Sequence, residues 1–161
     1  MSADPLPLLR TEIDARRGAM VSLAQELVRI PTLNPPGLRY REICEALVAR
    51  LERSGFSVEL IRAEGALADS EAHPRWNLVA RREGARPGGC VHFNGHHDVV
   101  EVGHGWTVDP FGAEVKDGRI YGRGACDMKG GIASAVTAAE AFAAAFPDFA
   151  GAVEISATAD E

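Results

Sequence analysis

The sequence predicts an α/β protein in which helices are layered against a sheet, and three observations carry that expectation. Residues 11–30 and the segment beginning at Tyr40 place apolar residues at three- and four-residue steps, the period of a helix with one buried face. Runs rich in β-branched and aromatic residues recur at 56–61, 76–80, 90–94 and 153–158, as strands do. An alanine-rich stretch from Gly130 to about Phe146 separates the last two runs, so helices and strands alternate as in a layered sheet.

In the first helix Ile13, Val21, Ala24, Leu27 and Val28 supply the apolar face. Pro31 ends it, because proline has no amide proton for the helix ladder. Pro31-Thr32-Leu33-Asn34-Pro35-Pro36-Gly37 is expected to be a rigid loop. The second helix carries Tyr40, Ile43, Cys44, Leu47, Val48 and Leu51 and stops at Gly55. Residues 62–75 are polar and read as a loop, and Gly88-Gly89 introduces the run 90–94. Residues 111–121, broken at Asp117-Gly118, have the pattern of a hairpin with a tight turn. Gly130-Gly131 opens the alanine-rich helix, and the last strand runs into Asp160-Glu161.

Composition excludes several classes. A chain of 161 residues with 46% apolar and 25% charged residues reads as a soluble globular domain. A net charge of −6 and a pI near 5.4 argue against nucleic acid or an anionic membrane as partner. The opening Met1-Ser2-Ala3-Asp4-Pro5-Leu6-Pro7 lacks the basic-then-apolar order of a secretory signal. Residues 132–149 include Glu140, Pro147 and Asp148, which a membrane span would not. Cys44, Cys90 and Cys126 are odd in number and lack zinc-finger spacing, so the expected location is a reducing cytoplasm.

The polar residues at strand ends are the candidates for chemistry. His96 and Asp98 stand two apart in an extended segment, so both side chains can face one pocket. A metal-ligating histidine needs an acceptor on its second ring nitrogen, which a nearby carboxylate supplies. The pair alone is common and more often marks a solvated loop histidine with a capping aspartate. His97 should point the opposite way, and His92, His104 and His73 have no partner at useful spacing. Asp127 follows a glycine-rich turn; it could ligate one cation or bridge two, or cap the following helix. Gly122-Arg123-Gly124 is a poor dinucleotide-binding loop, because Asp127 stands where the third glycine belongs. Glu161 could act as a general base.

Taken together, Phe93-Asn94-Gly95-His96-His97-Asp98-Val99-Val100, Trp106-Thr107-Val108-Asp109-Pro110-Phe111, Asp117-Gly118-Arg119-Ile120-Tyr121-Gly122-Arg123-Gly124, Asp127-Met128-Lys129-Gly130-Gly131 and Thr158-Ala159-Asp160-Glu161 resemble the M20 family of metallopeptidases and deacylases. The family includes acetylornithine deacetylase and succinyl-diaminopimelate desuccinylase. The resemblance implies a layered α/β/α zinc-hydrolase-like sheet, incomplete here because the chain matches about the first two-fifths of such an enzyme. Residues 1–161 would be the N-terminal part of the catalytic domain, without the dimerisation (lid) domain and the C-terminal catalytic segment.

By the same resemblance His96 and Asp127 are metal ligands, Asp127 bridging two Zn2+ ions with the following peptide often cis, and Co2+ is a possible substitute. Asp98, which orients His96, and Glu161, the general acid/base, form the catalytic pair. The ions polarise an amide carbonyl and acidify a water; the glutamate takes its proton and returns it to the departing amine. The substrate is then a small N-acyl amino acid and the full-length partner a second copy in a homodimer.

Three departures qualify this. The family's second glutamate would be residue 162, a later acidic ligand and a histidine are absent, and Glu101 stands where a proline commonly follows Val-Val. The chain by itself is therefore expected to be inactive. A dipeptidase of the same family, a non-catalytic relative used for binding or scaffolding, and a self-contained α/β domain whose polar clusters are caps and turns are the alternatives. A strand ending at the chain terminus and leaving a sheet edge open would count against the last.

Overall fold

The structure is a computed structural model describing residues 4–160. It contains helices α1 (Leu6–Ala15), α2 (Arg17–Val28), α3 (Tyr40–Arg53) and α4 (Gly130–Ala145), and strands β1 (Ser57–Arg62), β2 (Trp76–Glu83), β3 (Arg86–His96), β4 (Glu114–Lys116), β5 (Arg119–Tyr121) and β6 (Ala150–Thr158). Four strands form one mixed sheet in the order β1-β2-β6-β3. β6 runs antiparallel to β2 and parallel to β3. The α/β layered class follows from how these elements pack.

The first helix is two helices rather than one. Arg16, with φ −100° and ψ 1°, separates α1 from α2. The two segments serve different neighbours: α1 packs along α4, and α2 reaches both α4 and the segment before it. α2 buries Leu23, Ala24, Leu27 and Val28, whereas Ile13 of α1 stays partly exposed. The helix also starts earlier than expected, since prolines are tolerated in a first turn and Asp4 Oδ1 accepts a hydrogen bond from Leu6 N–H.

α3 forms over the expected residues, with Tyr40, Ile43, Cys44, Leu47 and Leu51 buried. Each fully buried aliphatic side chain contributes roughly 1.5–3 kcal/mol. Ile43, Cys44, Leu47 and Leu51 meet Leu27, Leu78, Ala80, Ile132, Val136, Ile155 and Ala157 in one core. By the two-residue period of a strand, Leu78, Ala80, Ile155 and Ala157 lie on the helix-covered face. The opposite face carries Arg81 paired with Glu154, and His92 hydrogen-bonded to Ser156. Among the described residues, helices thus cover one side of the sheet.

The closing strand is not at an edge. β6 lies between β2 and β3 and is buried along most of its length, because its run of small and branched residues suits the centre of a sheet. β1 and β3 are the edge strands, and β3 is longer than the run 90–94, taking in Gly88-Gly89 with a register shift between Arg86 and Cys90. β4 and β5 form the expected hairpin. Asp117 and Gly118 both have positive φ, 50° and 73°, as the tightest hairpin turns require.

The parallel pair β3 and β6 ends in register, His96 opposite Thr158. Ligands in such sheets gather beyond the carboxyl ends of parallel strands, and here the polar motifs converge.

Candidate metal centre

Three of the four sequence-derived candidates come together. His96 ends β3, with its side chain 12% exposed, and its Nε2 lies 3.0 Å from Asp127 Oδ1. On the other side of the ring, Nδ1 is 3.2 Å from the main-chain oxygen of Asp98 and 3.5 Å from Asp98 Oδ1. The alternation of an extended segment therefore brings Asp98 behind His96. Glu161 lies outside the described residues.

Asp127 sits in an irregular segment, Ala125–Lys129, where Asp127 and Met128 leave helical geometry and the Asp127-Met128 peptide is cis. Gly124, φ 81°, opens this segment, and a Cβ there would come within 2.5 Å of Val99. Only glycine allows that combination of dihedral and contact. The capping role considered for Asp127 is not the one it takes: α4 begins at Gly130 with no side-chain cap, and the Asp127 carboxylate is 81% exposed and turned to His96.

Asp98 is buried. Its Oδ2 accepts a hydrogen bond of 3.2 Å from Asn34 Nδ2, and its Oδ1 receives none among the described residues. His97 points away from the cavity, as its position between the two predicts. It is fully buried, with Nε2–H donating to the Trp76 main-chain oxygen at 2.9 Å and its ring edge against Tyr40. Burial pushes its pKa down to about 4, so it is a neutral packing element.

Lys129 is also fully buried, and Nζ donates to the Ile30 main-chain oxygen at 2.6 Å. Burial lowers its pKa to about 7, opposed by the nearby Asp98 charge. Beyond β6, Asp160 accepts hydrogen bonds from Tyr40 Oη–H at 3.0 Å and Arg75 Nε–H at 2.7 Å. The residue preceding Glu161 is therefore held from two sides. Burial, and then the negative charge of Asp98, raises the Tyr40 pKa.

Asn34, Tyr40, Arg75 and Lys129 were not identified as site residues from sequence. Tyr40 was legible as an apolar helix position and Lys129 as part of a motif, but their partners lie 120 and 99 residues away. A polar asparagine inside a proline-rich loop was the one local signal for Asn34.

A cavity of about 290 Å3 opens over this cluster, lined among others by Asn34, His96, Asp98, Arg123, Cys126 and Asp127. The donor set suits a divalent cation. Two ligand atoms on a tetrahedral ion with bonds near 2.0–2.1 Å sit roughly 3.3 Å apart, close to the 3.0 Å between His96 Nε2 and Asp127 Oδ1. The buried Asp98 oxygen adds negative charge and an acceptor on the far side of the imidazole. Among the described residues no group of three or more His, Cys, Asp or Glu gathers as a metal cage. His96 and Asp127 thus provide two donors.

Residues 92–161 match the profile of Peptidase family M20/M25/M40. The chain is 41% identical over 146 residues to the succinyl-diaminopimelate desuccinylase of Halorhodospira halophila (strain DSM 244 / SL1), covering 89% of this chain and 35% of that protein. It is 42% identical over 146 residues to the enzyme of the same name from Bordetella petrii, covering 89% and 34%. The chain thus spans about a third of the length of these curated relatives. Human carnosine dipeptidase 1 superposes with a TM-score of 0.79 at 27% identity, over 95% of this chain and 34% of its own. An M20 family metallo-carboxypeptidase, Sso-CP2 from Sulfolobus solfataricus, shares the fold, with a TM-score of 0.69 at 22% identity over 86% and 30% of the two chains.

Proposed function

We propose, for a chain whose residues 92–161 match Peptidase family M20/M25/M40, a part in metal-dependent amide hydrolysis that removes an acyl group from an N-acylated amino acid. The observation that carries the reading is the approach of His96 Nε2 to Asp127 Oδ1, 3.0 Å, at the mouth of an open cavity with Asp98 behind the ring. Identity of 41–42% to two succinyl-diaminopimelate desuccinylases supports an N-succinyl diamino acid as the substrate type. The dipeptidase alternative is supported more weakly, by 27% identity.

His96 and Asp127 are the residues of this chain that would hold the metal, with zinc as the native ion and Co2+ able to replace it. The ion, when bound, supplies Lewis-acid polarisation of the amide carbonyl and acidifies a water molecule. Asp98 keeps the His96 ring turned so that Nε2 faces the cavity. Glu161 takes a proton from water and delivers it to the amine nitrogen as the C–N bond breaks, leaving a carboxylate and a free amine.

Residues 1–161 correspond in this reading to the N-terminal part of a catalytic domain acting in the cytoplasm within a homodimer. Two donors hold a metal weakly, since a tight site uses about four, so the 161-residue chain alone binds metal loosely and is inactive.

Co2+ titration followed by visible absorption tests the site. His96→Ala and Asp127→Ala each abolish the spectral change if these residues hold the ion. Unchanged binding in both variants removes the metal reading, and with it the hydrolase in favour of a non-catalytic scaffold.

A further inference from the structure

Residues 30–34, the extension of α2, run along residues 97–99 and Lys129, beside the candidate centre. The Ile30 main-chain oxygen accepts from Lys129 Nζ at 2.6 Å. Thr32 Oγ1–H donates to the His97 main-chain oxygen at 2.5 Å. The Val99 amide donates to the Thr32 oxygen at 2.9 Å, and the Asn34 amide donates to the Val99 oxygen at 2.8 Å. Leu33 and Val99 form a parallel bridge. This strap locks residues 97–99 in place and leaves the Asn34 side chain beside the carboxylate of Asp98.

Asp98 is a carboxylate whose side chain is 7% exposed, and a buried charge is expensive unless hydrogen-bonded or paired. Asn34 Nδ2 is its side-chain hydrogen-bond donor, at 3.2 Å to Oδ2. Fixing Oδ2 leaves Oδ1 3.5 Å from His96 Nδ1, behind the Asp98 main-chain oxygen that the same nitrogen meets at 3.2 Å, while the opposite ring nitrogen faces Asp127. Main-chain bonds flank the Leu33–Val99 bridge, Thr32 on one side and Asn34 on the other, so the backbone that carries the Asn34 side chain is fixed beside Asp98. We infer that Asn34 is a positioning residue for the candidate metal centre, acting on His96 through Asp98. The inference rests on the metal reading proposed above. It adds a residue that touches neither ion nor substrate but sets the orientation of one that does.

The test is a Co2+ titration of the 161-residue chain, followed by visible absorption, with thermal melting of the metal-free chain as the control. Asn34→Leu removes the donor at similar size and is expected to weaken Co2+ binding by about 10- to 100-fold and alter the absorption band. Its melting temperature falls by roughly 3–10 °C, because a buried carboxylate oxygen loses its donor, while unfolding stays cooperative. Asn34→Gln restores an amide donor and recovers most of the affinity. Wild-type affinity and band in Asn34→Leu, with binding still lost in Asp127→Ala, overturn this inference and leave the metal reading standing. Equal loss in the Leu and Gln variants alongside a collapse in melting temperature shows a merely structural residue and also overturns it. Failure of the wild-type chain to bind millimolar Co2+ overturns the metal reading and this inference with it.

Discussion

His96 and Asp127, 31 residues apart in the chain, bring an imidazole nitrogen and a carboxylate oxygen to 3.0 Å at the end of two parallel strands. Little else holds Asp127, whose side chain is 81% exposed. Asp127→Asn should therefore change unfolding free energy by less than about 0.5 kcal/mol, as surface substitutions do. It should weaken Co2+ binding at least tenfold, because a neutral amide oxygen is a poorer ligand than a carboxylate. Urea unfolding and metal titration on one preparation separate the two effects.

Gly124→Ala tests the turn that presents Asp127. A non-glycine residue at φ 81° is strained, and the added Cβ would approach Val99 Cγ1 to 2.5 Å. The expected loss is about 2–4 kcal/mol, from left-handed strain plus overpacking. Displacement of residues 125–129 should also reduce Co2+ affinity. A variant of wild-type stability would show that the turn has room the geometry does not suggest.

Arg75 is expected to matter for stability more than its place in a polar loop implies. Its guanidinium donates to Asp160, to the Pro36 oxygen and to the His73 oxygen, and it stacks over Tyr40. Arg75→Met should cost about 2–4 kcal/mol in urea unfolding, since it strips the partner from a part-buried carboxylate and two carbonyls. Arg75→Lys should recover less than half, because an ammonium cannot reproduce a planar fork. Tyr40→Phe removes a single hydroxyl donor and should cost only about 1 kcal/mol.

Cys44 is buried and Cys90 and Cys126 are exposed. Burial pushes the Cys44 thiol up to about 12 from an ordinary 9.0. Native protein should therefore alkylate at Cys90 and Cys126 and leave Cys44 intact until it unfolds, which peptide mapping after iodoacetamide treatment reads directly. The folded state favours the neutral thiol, so this contribution to stability is fully present below pH 9 and is lost as pH rises toward about 12.

Leu47→Ala probes the core beneath the sheet. Leu47 is 1% exposed in the cluster that joins α2, α3 and the sheet, and its truncation should cost about 2–5 kcal/mol by chemical denaturation. A smaller loss would mean that α3 closes over the gap.

Much of the fold was legible because its signals are local. The 3.6-residue period of 40–53 and the alternation of 56–61 reflect burial of one face, and each needs only neighbours in sequence. The hairpin at Asp117-Gly118 is likewise local chemistry. The break at Arg16 was not readable, because it depends on which neighbours α1 and α2 meet. Nor was the central place of β6, since strand order is decided by long-range pairing and not by a strand's own residues.

For the candidate centre, sequence alone put His96 and Asp98 on one side of an extended segment and Asp127 after a glycine turn, the period of a strand and the freedom of glycine sufficing for that. Which way each side chain turns came only with tertiary structure: Asp127 toward His96 and not onto the helix terminus, His97 under the Tyr40 ring, Asn34 onto Asp98. The physical reason is that a hydrogen bond between residues 31 or 64 positions apart is set by the packing that brings their strands and loops together, and no local spacing encodes it.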